Sequence, residues 1–206
     1  MQQAVFSRLI NCDLGECLSP NPDTKIMPLI NMANIACGGH AGDDQSVINT
    51  LQLAQKNNVK VGAHPSYDDR ANFGRISHRL SDDELYKLIH TQVSHFQDLC
   101  QQNNVILSYV KPHGALYHDM THYKSVAGIL CKVIKSINPD LALVVQAGNE
   151  PHFENIEKNE NVTFWREVYA DRGYNGLHMI PRGEKGAIFN DSDSIIKQYQ
   201  HFLAEQ

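Results

Sequence analysis

The chain has 206 residues, 42% of them hydrophobic and 20% charged, with a formal net charge of −5. That apolar fraction excludes a disordered chain, and the acidic balance leaves no footprint for nucleic acid or an anionic membrane surface. No apolar run approaches the ~18 residues of a spanning helix.

Met1 to Ile10 carries Gln2, Gln3 and Arg8 inside its short apolar stretch, unlike a signal peptide. Val5–Cys12 reads as a first strand, and Met27–Cys37 contains a second. Gln45–Lys56 places Val47, Ile48, Leu51, Leu53 and Ala54 on a helix face, with Asp43 or Asp44 as its cap. Val59–Ala63 is a short strand. Ser81 and Glu84 form a capping box, followed at helical spacing by Leu85, Leu88, Ile89, Val93, Phe96 and Leu99. Val105–Val110 is a strand and Tyr123–Ser136 a helix that ends near Pro139. Leu141–Gln146 is a strand, Pro151–Lys158 a short helix, and Thr163–Tyr169 and Gly186–Phe189 are strands. Asp191 caps a last helix, Ser192–Ala204. Five cysteines (Cys12, Cys17, Cys37, Cys100, Cys131) form no Cys-x-x-Cys pair, which suits reduced thiols in the cytoplasm.

Strand–helix alternation at this spacing implies βαβ units, a parallel sheet and an α/β fold of six or seven strands in a single domain, 1–206. The pattern alone fits either a barrel or a doubly wound open sheet. The polar residues are more informative, because they gather where strands end: Asn11-Cys-Asp-Leu-Gly-Glu16, Asn34 to Asp43, Gly62 to Tyr67, Lys111 to Tyr117, and Glu167 to Arg172. In parallel α/β folds the strand C-termini open on one face, where active sites form. Asp13, Glu16, His40, Asp43, His64, Lys111, His113, Asp171 and Arg172 are therefore expected to converge. Asp13 with His40 and His64 suits zinc, iron or manganese, or equally a metal-free carboxylate–histidine network. Lys111 suits an oxyanion or phosphate. Arg172 suits either a structural pair with Asp171 or a substrate carboxylate.

Five stretches together resemble the LamB/YcsF family: NCDLGE from Asn11, NIACGGHAGD from Asn34, GAHPSYDD from Gly62 with Phe73-Gly-Arg75, VKPHGALY from Val110, and EVYADRGYNGLHMIPRGEKGAI from Glu167. The resemblance implies a distorted (β/α) barrel related to metal-dependent carbohydrate deacetylases. It implies ATP-driven opening of the lactam of 5-oxo-L-proline to L-glutamate, together with two 5-oxoprolinase partner subunits, B and C. Phosphorylation of the lactam oxygen would make an imidate that water attacks. Glu16 or Asp13 would orient or deprotonate that water, and Asp171 is a further candidate acid. His40, His64 and His113 would move protons or hold a divalent metal, and Lys111 would stabilise the phosphorylated oxygen. Arg75 or Arg172 would hold the substrate carboxylate, with Asn34 and Tyr117 as further substrate contacts. A homo-oligomer is a further expectation. The alternatives are a metal-dependent deacetylase-like hydrolase and a non-catalytic binding paralogue. Two departures from the family pattern bear on the pocket. Gly39 stands where the family has an aromatic residue, which would loosen the pocket wall. The family's later Cys-Val-His-Gly-Asp motif does not occur, which would leave an open sheet edge.

Overall fold

The computed structural model describes residues 9–17, 19–148, 151–176 and 178–204. Six strands form one sheet: β1 (Asn11–Leu14), β2 (Met32–Ala36), β3 (Lys60–His64), β4 (Leu107–Val110), β5 (Ala142–Gln146) and β6 (Phe164–Glu167). Their spatial order is sequential, β1-β2-β3-β4-β5-β6. The pairs from β1 to β5 are parallel. Beyond them the Leu143 amide donates to the Thr163 carbonyl at 2.9 Å. A doubly wound sheet reverses its order at a switch point, whereas a barrel sheet does not. The sequential order therefore decides for the barrel class, with β1 and β6 at the two ends.

Seven α-helices occur among the described residues: α1 (Asp23–Ile26), α2 (Asp44–Lys56), α3 (Asp82–Gln102), α4 (Gly114–His122), α5 (Lys124–Ile137), α6 (Pro151–Glu160) and α7 (Ser192–Ala204). Asp43 caps α2 and Ser81 caps α3, each in a reciprocal box with the residue three positions on. The α3 helix packs against α2 and α5. No helix among the described residues is long and apolar enough to cross a membrane.

The strand expected at Gly186–Phe189 is instead a single antiparallel bridge, Arg172 to Ile188. The first expected strand falls partly outside the described residues, and β1 begins at Asn11. Helix α4 was not expected. His113 precedes it without a side-chain cap and a glycine opens it, so the usual start signals are missing. The two-stranded hairpin of β7 (Tyr174–Asn175) and β8 (His178–Met179) was also not expected.

By contact the chain falls into two compact units, where the sequence reads as one domain. The larger holds Leu9–Val145 and His152–Trp165; the smaller includes Gln146–Pro151 and Arg166–Gln206. In the smaller unit buried Arg172 is the hub. Its Nε donates to the Ala187 carbonyl at 2.9 Å and its Nη2 to the Ile180 carbonyl at 2.7 Å.

In the larger unit one register row explains the packing beneath the site. Asp13 pairs with Asn34, Asn34 with Gly62, and Gly62 with Tyr109. Partners in a parallel register point to the same face. Gly62 leaves a gap in that row, and the fully buried Tyr109 ring fills it. A Cβ at Gly62 would stand 2.5 Å from Tyr109 Cδ2 and closer still to Cε2 and Cζ. The ring packs among Met32, Ala142, Val144 and Trp165.

Candidate active site

Across that row the Tyr109 hydroxyl donates to Asn34 Oδ1 at 2.7 Å. Asn34 Nδ2 donates to Asp13 Oδ1 at 2.8 Å and to Asn11 Oδ1 at 2.7 Å. Lys111, buried, donates to Asn11 Oδ1 at 2.9 Å and lies 3.6 Å from Asp13 Oδ1. Desolvation pulls the Asp13 carboxyl upward, but the His64 and Lys111 charges and the hydrogen bonds from His64 and Asn34 outweigh it. They hold it well below the usual carboxylate range. Asp13 is thus a fixed anion.

His64 ends β3, two residues after Gly62, and Lys111 follows β4. His64 Nδ1 lies 2.6 Å from the Lys111 carbonyl oxygen. His113, just before α4, has Nε2 3.0 Å from the Phe73 carbonyl oxygen. A carbonyl only accepts, so these two nitrogens carry the ring hydrogens. The remaining nitrogens, His64 Nε2 and His113 Nδ1, then face each other across 3.0 Å. Asp13 Oδ2 lies 3.4 Å from the same His64 Nε2. Two lone pairs cannot meet at that distance without a cation between them. The gap requires one positive charge, either a proton or a metal ion.

His40 lies face to face on His113, with centroids 3.7 Å apart and planes 3° from parallel. Its ring nitrogens are buried without a hydrogen-bond partner, and Nε2 stands 3.4 Å from Glu16 Oε1. Burial lowers the His40 pKa, against the pull of Glu16, and lowers that of His113 to about 3, helped by the neighbouring imidazoles. One ligand atom from each of Glu16, His40, His64 and His113 lies within 4.8 Å of all the others. Imidazole nitrogens whose second ring N–H is tied to a backbone carbonyl, beside carboxylates, suit zinc, iron or manganese. The residues present therefore fit a divalent ion.

The structure thus brings six of the expected residues together: Asp13, Glu16, His40, His64, Lys111 and His113. Asn34 is fully buried inside the network. Tyr117 is buried on α4, where its amide bonds the His113 carbonyl at 3.3 Å. Arg75 is exposed, its guanidinium 5.2 Å from the Phe73 ring centroid. Asp171 and Arg172 lie in the smaller unit, where the Arg172 guanidinium is bound to carbonyls. Asp43 caps α2. The space beside Gly39 is not loose. A Cβ there would meet Ser66 Oγ at 2.6 Å and the Gln92 amide at 2.9 Å. Gln92 fills it by bonding both the Ser66 amide (3.0 Å) and carbonyl (2.8 Å).

Sequence reasoning missed Asn11, Tyr109 and Phe73. Asn11 opens the first motif and was readable there. Tyr109 is visible only through register. Phe73 acts through its carbonyl, which its left-handed backbone (φ +56°) turns toward His113.

The fold and site define an α/β barrel-class protein with a buried imidazole–carboxylate centre at its strand ends. The sequence profile of the LamB/YcsF family matches residues 9–206, and the chain belongs to that family. It is 38% identical over 195 residues to the 5-oxoprolinase A subunit of Pseudomonas fluorescens, covering 92% of this chain and 78% of the relative. A Staphylococcus aureus protein of the same description is 37% identical over 200 residues, covering 95% and 79%. The crystal structure of a lactam utilization protein from Thermus thermophilus superposes with a TM-score of 0.90 at 28% identity, covering 97% of this chain and 82% of that one.

Proposed function

We propose that this chain is the lactam-opening subunit of an ATP-dependent 5-oxoprolinase, acting in the cytoplasm with B and C subunits. The observation that carries the reading is the His64–His113 gap, which demands a cation beside a fixed carboxylate, in a chain whose relatives are named as the A subunit of 5-oxoprolinase.

A lactam carbonyl is a weak electrophile. In the proposed sequence its oxygen attacks the γ-phosphorus of ATP, ADP leaves, and the ring nitrogen gives up its proton to form an O-phosphorylated imidate. Water then adds to the same carbon and loses a proton. The C–N bond breaks as nitrogen takes a proton, leaving γ-glutamyl phosphate, and a second water then cleaves this acyl phosphate to glutamate and inorganic phosphate. Glu16 with His40, 3.4 Å apart, is assigned to take the proton from water and return it to nitrogen. Asp13 holds the positive charge of the His64–His113 gap in place, and Lys111 keeps Asp13 ionised. Asn34 and Tyr109 position Asp13 rather than touch substrate, because Asn34 is fully enclosed. Arg75, exposed beside Phe73, is assigned the substrate carboxylate. Asp13, His64 and His113 would hold a divalent ion, which would supply Lewis-acid polarisation of the carbonyl oxygen.

The test is glutamate release from 5-oxoproline, with and without ATP, with the chain mixed with B and C subunits. ATP-dependent glutamate supports the proposal. No glutamate, from partners shown active with the A subunit of a relative, overturns it. Metal-stimulated deacetylation without ATP would favour the deacetylase-like reading, which the paired imidazoles also suit.

A further inference from the structure

We propose that the C-terminal turn of α4 is a second, surface site for a divalent transition-metal ion, held by His118 and His122. Residues four apart on a helix share one face, and two histidines so spaced form a metal clamp. Here the rings already lie side by side, with centroids 4.1 Å apart and planes 23° from parallel. Both residues are exposed, so closing onto one ion needs only side-chain rotation. One of the two rings already has its second nitrogen engaged. His122 Nδ1 donates to the His118 carbonyl at 2.8 Å, and that carbonyl can only accept. His118 Nδ1 faces Asp119 Oδ1 at 3.8 Å. His122 therefore offers Nε2 to the ion, the arrangement in which an imidazole ligates best, and His118, exposed and with Asp119 beyond hydrogen-bond reach of its Nδ1, can turn its Nε2 to the same ion.

Two further features favour a cation here. The helix ends at His122, so the turn carries the negative end of the helix dipole. Asp119 adds a buried carboxylate, fixed by the Tyr67 hydroxyl at 2.8 Å and by Ser77. Two imidazole ligands with water completing the shell suit copper, nickel or zinc rather than magnesium or calcium. The site stands apart from the central cluster. From His113 to His118 is five residues, about 7–8 Å of helix rise.

The experiment is a Cu2+ titration of the full chain at about pH 8, where protons compete least with the ion. It is read by bound equivalents in equilibrium dialysis and by nitrogen hyperfine splitting in the electron paramagnetic resonance spectrum. His118→Ala and His122→Ala should each bind one equivalent fewer than wild type and lose the same two-nitrogen signal. His95→Ala, an exposed histidine elsewhere, should keep both. Circular dichroism of each variant confirms folding. Unchanged stoichiometry and spectrum in both α4 variants, or an equal loss in His95→Ala, would overturn the proposal.

Discussion

Replacing Gly62 with alanine is expected to be far more disruptive than one methyl group suggests. The new Cβ would sit 2.5 Å or less from three carbons of the Tyr109 ring, where ordinary carbon contact is about 3.5–4.0 Å. The ring must retreat by more than about 1 Å. It has no free space, being fully buried among Met32, Ala142, Val144 and Trp165. Overpacking of this kind costs about 1–3 kcal/mol. Retreat also stretches the hydrogen bond to Asn34, whose enclosed carbonyl then loses that donor at about 1–3 kcal/mol. Removing glycine from a strand returns about 0.5–1 kcal/mol. The net loss is about 1–5 kcal/mol, or roughly 2–20 °C in melting temperature for a chain of this size. Urea unfolding of Gly62→Ala, Tyr109→Leu and the double variant measures it. With the ring gone the alanine should cost less than about 0.5 kcal/mol, a coupling of about 0.5 kcal/mol or more. Gly62→Ala at wild-type stability, or an equal cost in both backgrounds, would refute the reasoning.

Asp13→Asn should lower ATP-dependent glutamate formation by about 100-fold or more, because the anion beside His64 is lost; steady-state rates with the partner subunits decide this. Stability should fall on acidification. Burial holds the His113 pKa at about 3 in the folded chain against about 6.5 unfolded, so between those values the unfolded state binds the extra proton. Asp13, its pKa lowered by folding, acts in the same direction, its contribution being lost as pH falls below about 4. Urea titrations from pH 7 to pH 4 should show this slope, and His113→Asn should flatten it. Gly39→Phe should destabilise the chain by collision with Gln92 and Ser66, and Gln92→Ala should restore part of the loss in a thermal melt.

The positional rule that polar clusters follow parallel strands was enough to bring Asp13, Glu16, His40, His64, Lys111 and His113 to one place, because strand ends are set by local apolar runs. The capping box at Ser81 gave the start of α3, and Asp43 or Asp44 marked that of α2, because such signals lie within four residues. What could not be read depends on register and backbone direction. Tyr109 looks like any core aromatic until Gly62 is its neighbour on the next strand, and Asn34 looks like a substrate contact until Tyr109 and Asp13 enclose it. Arg172, expected to meet either Asp171 or a substrate carboxylate, is held by the carbonyls of Ala187 and Ile180, which the loop that follows it brings back. Helix α4 lacked a cap to announce it.

The two imidazoles that face each other take their tautomers from main-chain oxygens, at Lys111 and Phe73, not from side chains. A main-chain oxygen is present whatever residue occupies the position, so drift in side-chain identity there leaves the proton arrangement of the pair untouched. Chain length offers no such tolerance. A one-residue insertion or deletion between Pro65 and Phe73 would swing a carbonyl away from His113 and free its ring to invert. The tautomers of the pair, unlike the Lys111 charge, are guarded against point substitution at their supports and vulnerable to indels in the loop that carries Phe73.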